Sequence, residues 1–175
     1  IFSTIDNVEI VVVDDDSKDG TLKIINSIEN KNLKIFSRKS RGLASAFLLG
    51  MINTGGDYIG WTDSNMPQLT HHFKEMINKL DTYDVVLLSR YIEGGGDQRS
   101  KLRILSSKII NFICRLILGS DIKDYTSSIF LMRKEVLNYG VPIAYGRGEF
   151  FIEFLYKIKK NGMKICELPY VQPPD

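Results

Sequence analysis

At 175 residues, with 43% hydrophobic and 25% charged side chains, the chain has the make-up of one globular domain, long enough to bury a core without disulfide or metal staples. A net charge of only +2 gives no global basis for nucleic-acid binding, and no apolar run reaches the roughly 18–20 residues that span a bilayer. Cys114 and Cys166 lie in apolar contexts without CxxC spacing, which predicts buried free thiols.

The opening "IFSTIDNVEIVVV" reads as a chain entered partway through a fold, so an amino-terminal strand is expected to be missing. "VEIVVV" (Val8–Val13) is a β-branched run suited to a strand buried on both faces. "LKIINSIENK" follows with helical spacing of Leu22, Ile25 and Ile28, then "LKIFS" as a second strand. "RGLASAFLLGMINTG" is a helix ended by Gly55 and Gly56, and "DYIGWTD" a third strand. "LTHHFKEMINKL" reads as a helix and "YDVVLLSR" as a fourth strand. This alternation predicts an α/β fold built on a mostly parallel sheet flanked by helices.

Beyond Arg90 the pattern changes. "YIEGGGDQRS" is a polar, glycine-rich loop, and Lys101–Leu118 a long helix. "GSDIKDYTSSIFLMRKEVL", a helix around "GEFFIEFLYKIKKNG" and a last strand "KICELPYV" complete the chain. One domain over residues 1–175 is expected, with 1–90 as a nucleotide half and 91–175 as the half that receives a second substrate.

Ligands of parallel α/β sheets gather at the carboxyl ends of strands. Asp14, Asp15, Asp16, Asp63 and Arg90 all stand at such ends. Carboxylates at the first of them can accept paired N–H donors from uracil or guanine. Helix capping accounts for Ser17 and Asp19, but not for three acids stacked on an apolar strand end, where repulsion raises the cost. In "TDSNMPQ", Asp63 followed by Asn65 offers two hard oxygen donors for a divalent metal, or else Asp63 caps the next helix. Arg90 can grip phosphate oxygens in a bidentate fashion, or pair with one of the strand-end acids.

In Lys101–Leu118, Arg103, Ser107, Asn111 and Arg115 recur every four residues as a narrow polar stripe on an otherwise oily helix. Such a helix suits a membrane surface or a lipid channel, or a core position with the stripe outward.

Taken together, "VVVDDDSKDGT", "RGLASAFLLG", "TDSNMPQ", "SRYIEGG", "DYTSSIF" and "GEFFIE…ELPY" occur in the order found in family 2 glycosyltransferases. The chain resembles above all the dolichol-phosphate mannose synthases and related polyprenyl-phosphate glycosyltransferases. The resemblance covers nearly the whole chain, except for the family's opening strand and Pro-x-x-Asn-Glu segment. It implies a GT-A fold and inverting transfer of a sugar to a lipid phosphate. GDP-mannose is the first donor implied, and a UDP-sugar the second.

The resemblance also implies roles. Asp14, Asp15 and Asp16 would bind the nucleotide. Asp63 and Asn65 match an Asp-x-Asp pair that holds Mg²⁺ or Mn²⁺, with Asn65 in the second acid's place; Gln68, one place beyond the usual glutamine, is a further candidate ligand. Arg90, Arg103 and Ser107 would receive the acceptor phosphate. Asp124, Ser127 and Glu153 would line the sugar or acceptor side, with Ser128 where the family has glycine. Glu153 could equally form a surface pair with Lys157.

A phosphate acceptor is mostly dianionic at neutral pH, so no dedicated general base is expected. Asp63, Arg90 and Arg103 would carry catalysis by alignment and charge. The chain would work on the cytoplasmic side of a membrane, peripheral or anchored by segments outside it. A nucleotidyltransferase, a receiver-type signalling module and a degenerate nucleotide-sugar binder are the competing readings.

Overall fold

A computed structural model describes residues 7–62, 71–146 and 148–174. The first half runs β1 (Ile10–Asp14), α1 (Thr21–Asn26), β2 (Leu33–Ser37), α2 (Leu43–Ile52), β3 (Tyr58–Trp61), α3 (Phe73–Lys79) and β4 (Val85–Ser89). The second half runs β5 (Gly96–Asp97), α4 (Lys101–Leu118), β6 (Phe130–Arg133), α5 (Glu149–Lys160), β7 (Ile165–Pro169) and β8 (Val171–Gln172). A 3-10 turn at Lys134–Asn138 follows β6.

The alternation of strands and helices is as the sequence predicts, but the single mostly parallel sheet is corrected. β1 and β2 pair in parallel as a separate two-stranded sheet. A four-stranded sheet has the order β3-β6-β4-β7. β6 runs antiparallel to both β3 and β4, and only β4–β7 is parallel within it. β6 comes from "SSIFLMR", which the sequence reading folds into a longer unassigned stretch. It can pair between β3 and β4 because its first three residues, Phe130, Leu131 and Met132, are apolar and covered on both faces.

Strand alternation sorts that sheet into two cores. Val85 and Leu87 of β4, with Phe130 and Met132 of β6, face Phe47 of α2 and the aromatic row Phe150, Phe151 and Phe154 of α5. Val86 and Leu88, with Leu131, face Phe73 and Met76 of α3 and Leu80 beyond it. The register Val85↔Met132 and Leu87↔Phe130 keeps each pair on the same side. Phe130 lies 5.5 Å from the Phe151 ring and 5.7 Å from Phe47. Each such fully buried phenyl contributes about 1.5–3 kcal/mol through burial. Gly60 lets α3 approach: a Cβ there would stand 3.0 Å from both Leu131 and Phe73.

α4 inverts the usual helix pattern. Its polar Asn111 is buried, while Leu102, Leu105, Ile109, Phe112, Leu116 and Ile117 are between 51% and 75% exposed. An ordinary core helix with its polar stripe outward is thereby excluded for this chain. No helix among the described residues is long and apolar enough to cross a membrane. Cys114 and Cys166 are both free thiols, and burial raises both pKa values.

Candidate active site

The carboxyl end of β1 carries Asp14, Asp15 and Asp16. Asp14 is buried and accepts the Ser17 N–H at 2.9 Å. Asp15 accepts Arg38 Nε at 2.6 Å and the Gly42 N–H at 2.9 Å. Arg38 continues to Ser45 Oγ and to the Gly42 carbonyl. Burial alone would push the Asp15 pKa up, but the Arg38 and Gly42 hydrogen bonds outweigh it and hold the carboxyl below its ordinary value. Asp16 adopts a left-handed φ of 62° and pairs with Lys18 at 2.7 Å. The acidic strand end is therefore a closed turn, with Asp15 pinning the entry to α2.

Sequence reasoning missed Arg38, although a signal existed. Parallel pairing sets Asp14 across from Ser37, and the ladder continues with the Arg38 N–H donating to the Asp14 carbonyl. One step further, an acid and a base are neighbours by register alone.

The second cluster forms where β4 ends. Arg90 is buried, and its Nε and Nη2 donate to the two oxygens of Asp124 at 2.7 Å each. Nη2 also reaches Thr126 Oγ1 at 2.7 Å, and Nη1 lies 3.6 Å from Asp97. Burial alone would lower the Arg90 pKa, yet the hydrogen bonds and charge of Asp124 raise it, so the guanidinium stays charged. The donors of Arg90 thus face Asp124, Thr126 and Asp97 and not the acids of β1. Gly95 seats the following loop on this strand end; a Cβ there would stand 2.7 Å from the Ser89 carbonyl oxygen.

Asp97 is gripped by Arg99 through Nε at 2.9 Å and Nη2 at 2.6 Å, which lowers its pKa against the opposing effect of burial. Arg99 Nη2 also donates to Ser107 Oγ at 3.0 Å. Asn111, one turn on, accepts the Tyr125 N–H and donates to Thr126 Oγ1. From β7, Glu167 accepts the N–H groups of Lys123 and Asp124 at 2.8 and 2.9 Å. Burial pushes the nearby Tyr170 phenol up to about 12.

The structure thus brings Arg90, Ser107 and Asp124 into one network, together with Asp97, Arg99, Asn111, Thr126 and Glu167. Asn111 was visible as part of the α4 stripe. Asp97, Arg99 and Glu167 carried no sequence signal beyond their type. Arg103 is exposed on α4. Ser127 Oγ is buried without a hydrogen-bond partner among the described residues. Ser128 takes a left-handed φ of 61°, the conformation glycine adopts freely. Glu153 pairs with Lys157, and its Oε2 is buried without a partner among the described residues.

Asp63, Asn65 and Gln68 lie outside the described residues. Among the described ones, no group of three or more His, Cys, Asp or Glu side chains could hold a metal ion. Thr62, which precedes Asp63, has a buried hydroxyl with no partner among the described residues.

The chain is 34% identical over 97% of its length to the dolichol-phosphate mannosyltransferase of Pyrococcus furiosus, of which it covers 51%. It is 27% identical over 93% of its length to the polyprenol monophosphomannose synthase of Mycolicibacterium smegmatis, covering 65% of that protein. The chain therefore spans half to two thirds of the length of these relatives. Among solved structures, it is similar to glucosyl-3-phosphoglycerate synthase from Mycobacterium tuberculosis in complex with Mn²⁺, UDP and glucosyl-3-phosphoglycerate. That likeness has a TM-score of 0.64 at 20% identity, over 95% of this chain and 59% of that one. Mannosyl-3-phosphoglycerate synthase from Rubrobacter xylanophilus gives 0.66 at 20% identity, over 95% and 56%. At these identities the likeness concerns the α/β fold with mixed sheets. The model of Glycosyl transferase family 2 matches residues 2–140, and the chain belongs to that family.

Proposed function

We propose that this chain is the catalytic part of an inverting GT-A glycosyltransferase that moves a sugar from a nucleotide sugar to the phosphate of a polyprenyl or dolichyl lipid. Mannose from GDP-mannose is the preferred donor. The observation that carries the choice of acceptor is the inversion of α4. Its polar seam joins the Arg90–Asp124 network, while its apolar arc is left exposed. A soluble phosphate acceptor has no use for such an arc. A lipid phosphate needs both a polar seat and an oily approach.

In this reading, Asp14, Asp15 and Asp16 receive the nucleotide, and the Arg38 clamp holds their turn in shape. Arg103 and Ser107 receive the acceptor phosphate. Arg90 supports them as a positioning residue: it fixes Asp124, and Asp124 with Glu167 fixes the 123–127 loop against α4. Ser127 and Glu153 lie toward the sugar. The acceptor dianion needs no base, so the protein's task is to hold its oxygen in line behind the sugar carbon. Asp63 and Asn65, with Gln68, would hold a divalent cation. Carboxylate and amide oxygens are hard donors that suit Mg²⁺ or Mn²⁺. When bound, such an ion neutralises the departing diphosphate.

The test is Mn²⁺-dependent binding of GDP-mannose against UDP-glucose, followed by transfer to a polyprenyl phosphate with analysis of the anomeric product. Inverted lipid-linked sugar supports the reading. Binding without transfer favours the second reading, a degenerate nucleotide-sugar binder, which the amide at Asn65 motivates. No nucleotide binding removes both.

A further inference from the structure

α4 carries Lys101, Lys108 and Arg115 at seven-residue intervals, so three exposed cations form one line along the helix. On one side of that line lies the apolar arc. Along the line itself a cavity of about 380 Å³ opens between Lys108, Phe112 and Arg115, with Tyr91, Asn111 and Lys123 completing it. The lining holds three cations and no carboxylate. Neither Lys108 nor Arg115 has an ion-pair partner among the described residues. Lys123 Nζ spends one hydrogen bond on the Ser120 carbonyl and has protons to spare. Asn111 is committed to Thr126 and Tyr125 and brings no compensating charge. The Tyr91 hydroxyl has no hydrogen-bond partner among the described residues.

Cations without an ion-pair partner among the described residues, beside an exposed apolar arc, fit a surface that is oily below and anionic above, which describes the headgroup layer of an acidic bilayer. We propose that this cavity binds the phosphate of an anionic phospholipid headgroup while the apolar arc rests on the membrane. The site differs from the proposed acceptor seat: Arg103 lies on the other edge of the buried face of α4, with Ser107 and Asn111 between it and Lys108. Lys108, Phe112 and Arg115 are one and two turns apart, so a single headgroup spans them while its acyl chains follow Phe112 and Leu116 downward. The inference shares with the proposed function only the seating of α4 on lipid.

The test is sedimentation of the full chain with vesicles of phosphatidylcholine alone or mixed with phosphatidylglycerol. Binding is expected with phosphatidylglycerol and should fall roughly ten- to thirty-fold in the Lys108→Gln/Arg115→Gln variant, the effect of two lost surface cations. A Lys23→Gln/Lys31→Gln variant makes the same change in net charge at exposed positions elsewhere and should retain binding within about threefold. Equal binding to both vesicle types, no vesicle binding, or equal losses in the two variants would overturn the proposal. So would release by inorganic phosphate at matched ionic strength, because the site would then recognise free phosphate and not the headgroup. Far-UV circular dichroism confirms that the variants are folded. Nucleotide-sugar binding, measured on the same samples, separates the two claims: its loss in the unmodified chain tells against transfer, and vesicle failure with nucleotide binding intact tells against this site alone.

Discussion

Asp124 closes two parallel hydrogen bonds on Arg90, each 2.7 Å long, with both side chains nearly inaccessible to solvent. The arrangement joins the end of β4 to the loop before β6. Removing one partner of a buried pair leaves the other charge without compensation. Asp97, 3.6 Å away and already gripped by Arg99, is poorly placed to take over.

Asp124→Asn is therefore expected to destabilise the fold by about 3–5 kcal/mol. The Arg90→Met/Asp124→Leu double variant should cost less than the two single changes added together. Urea denaturation of the three variants measures both effects. A loss under about 1 kcal/mol for Asp124→Asn would show that the pair is not a strut.

Ser128 occupies a left-handed conformation at φ 61° that costs an L-residue about 1–2 kcal/mol. Ser128→Gly should relieve this, at the expense of greater unfolded-state freedom, for a net gain of about 0.5 kcal/mol. Ser128→Val should lose stability, because a β-branched side chain tolerates positive φ poorly. Thermal denaturation of the two variants gives the sign of each change.

Asp15 offers a pH signature. Its pKa is lowered in the fold, so the unfolded chain takes up the proton first as pH falls. The stabilisation is complete above the ordinary carboxylate range of about 4 and is lost as pH drops through the lower folded value. The stability difference between the native chain and Asp15→Asn should be flat near neutrality and shrink below about pH 4. Urea midpoints across that window give the measurement, and a difference that grows with acid would refute the Arg38 clamp.

Much of the fold was legible because its elements carry strong local patterns. The limits of α4, Lys101–Leu118, could be read from its oily run and the glycine after it. β6 was missed because three apolar residues between loops carry no mark of direction, and its antiparallel insertion is decided by long-range packing of Phe130 and Met132. At the site, residue types at strand ends were visible, but partners were not. Arg90 stands out as a strand-end cation, but nothing local shows that Asp124, 34 positions away, meets its Nε and Nη2. Glu167 is one more charged residue in a strand until its two oxygens meet consecutive N–H groups.

Asn65 lies outside the described residues, yet its chemistry gives the sharpest test of the proposed metal. An amide oxygen coordinates as a hard donor without contributing charge, so a cation there depends on Asp63, substrate oxygens and water. Ligand charge is one of the quantities that sets affinity for such ions. Asn65→Asp should therefore tighten Mn²⁺ binding about tenfold in the presence of nucleotide, read by quenching of nucleotide-analogue fluorescence or by calorimetry. Asp63→Asn should abolish metal-dependent nucleotide binding and leave the urea midpoint near that of the native chain. Should Asn65→Asp leave Mn²⁺ affinity unchanged, the segment does not coordinate metal. Nucleotide recognition would then rest on the acidic turn and its arginine clamp alone.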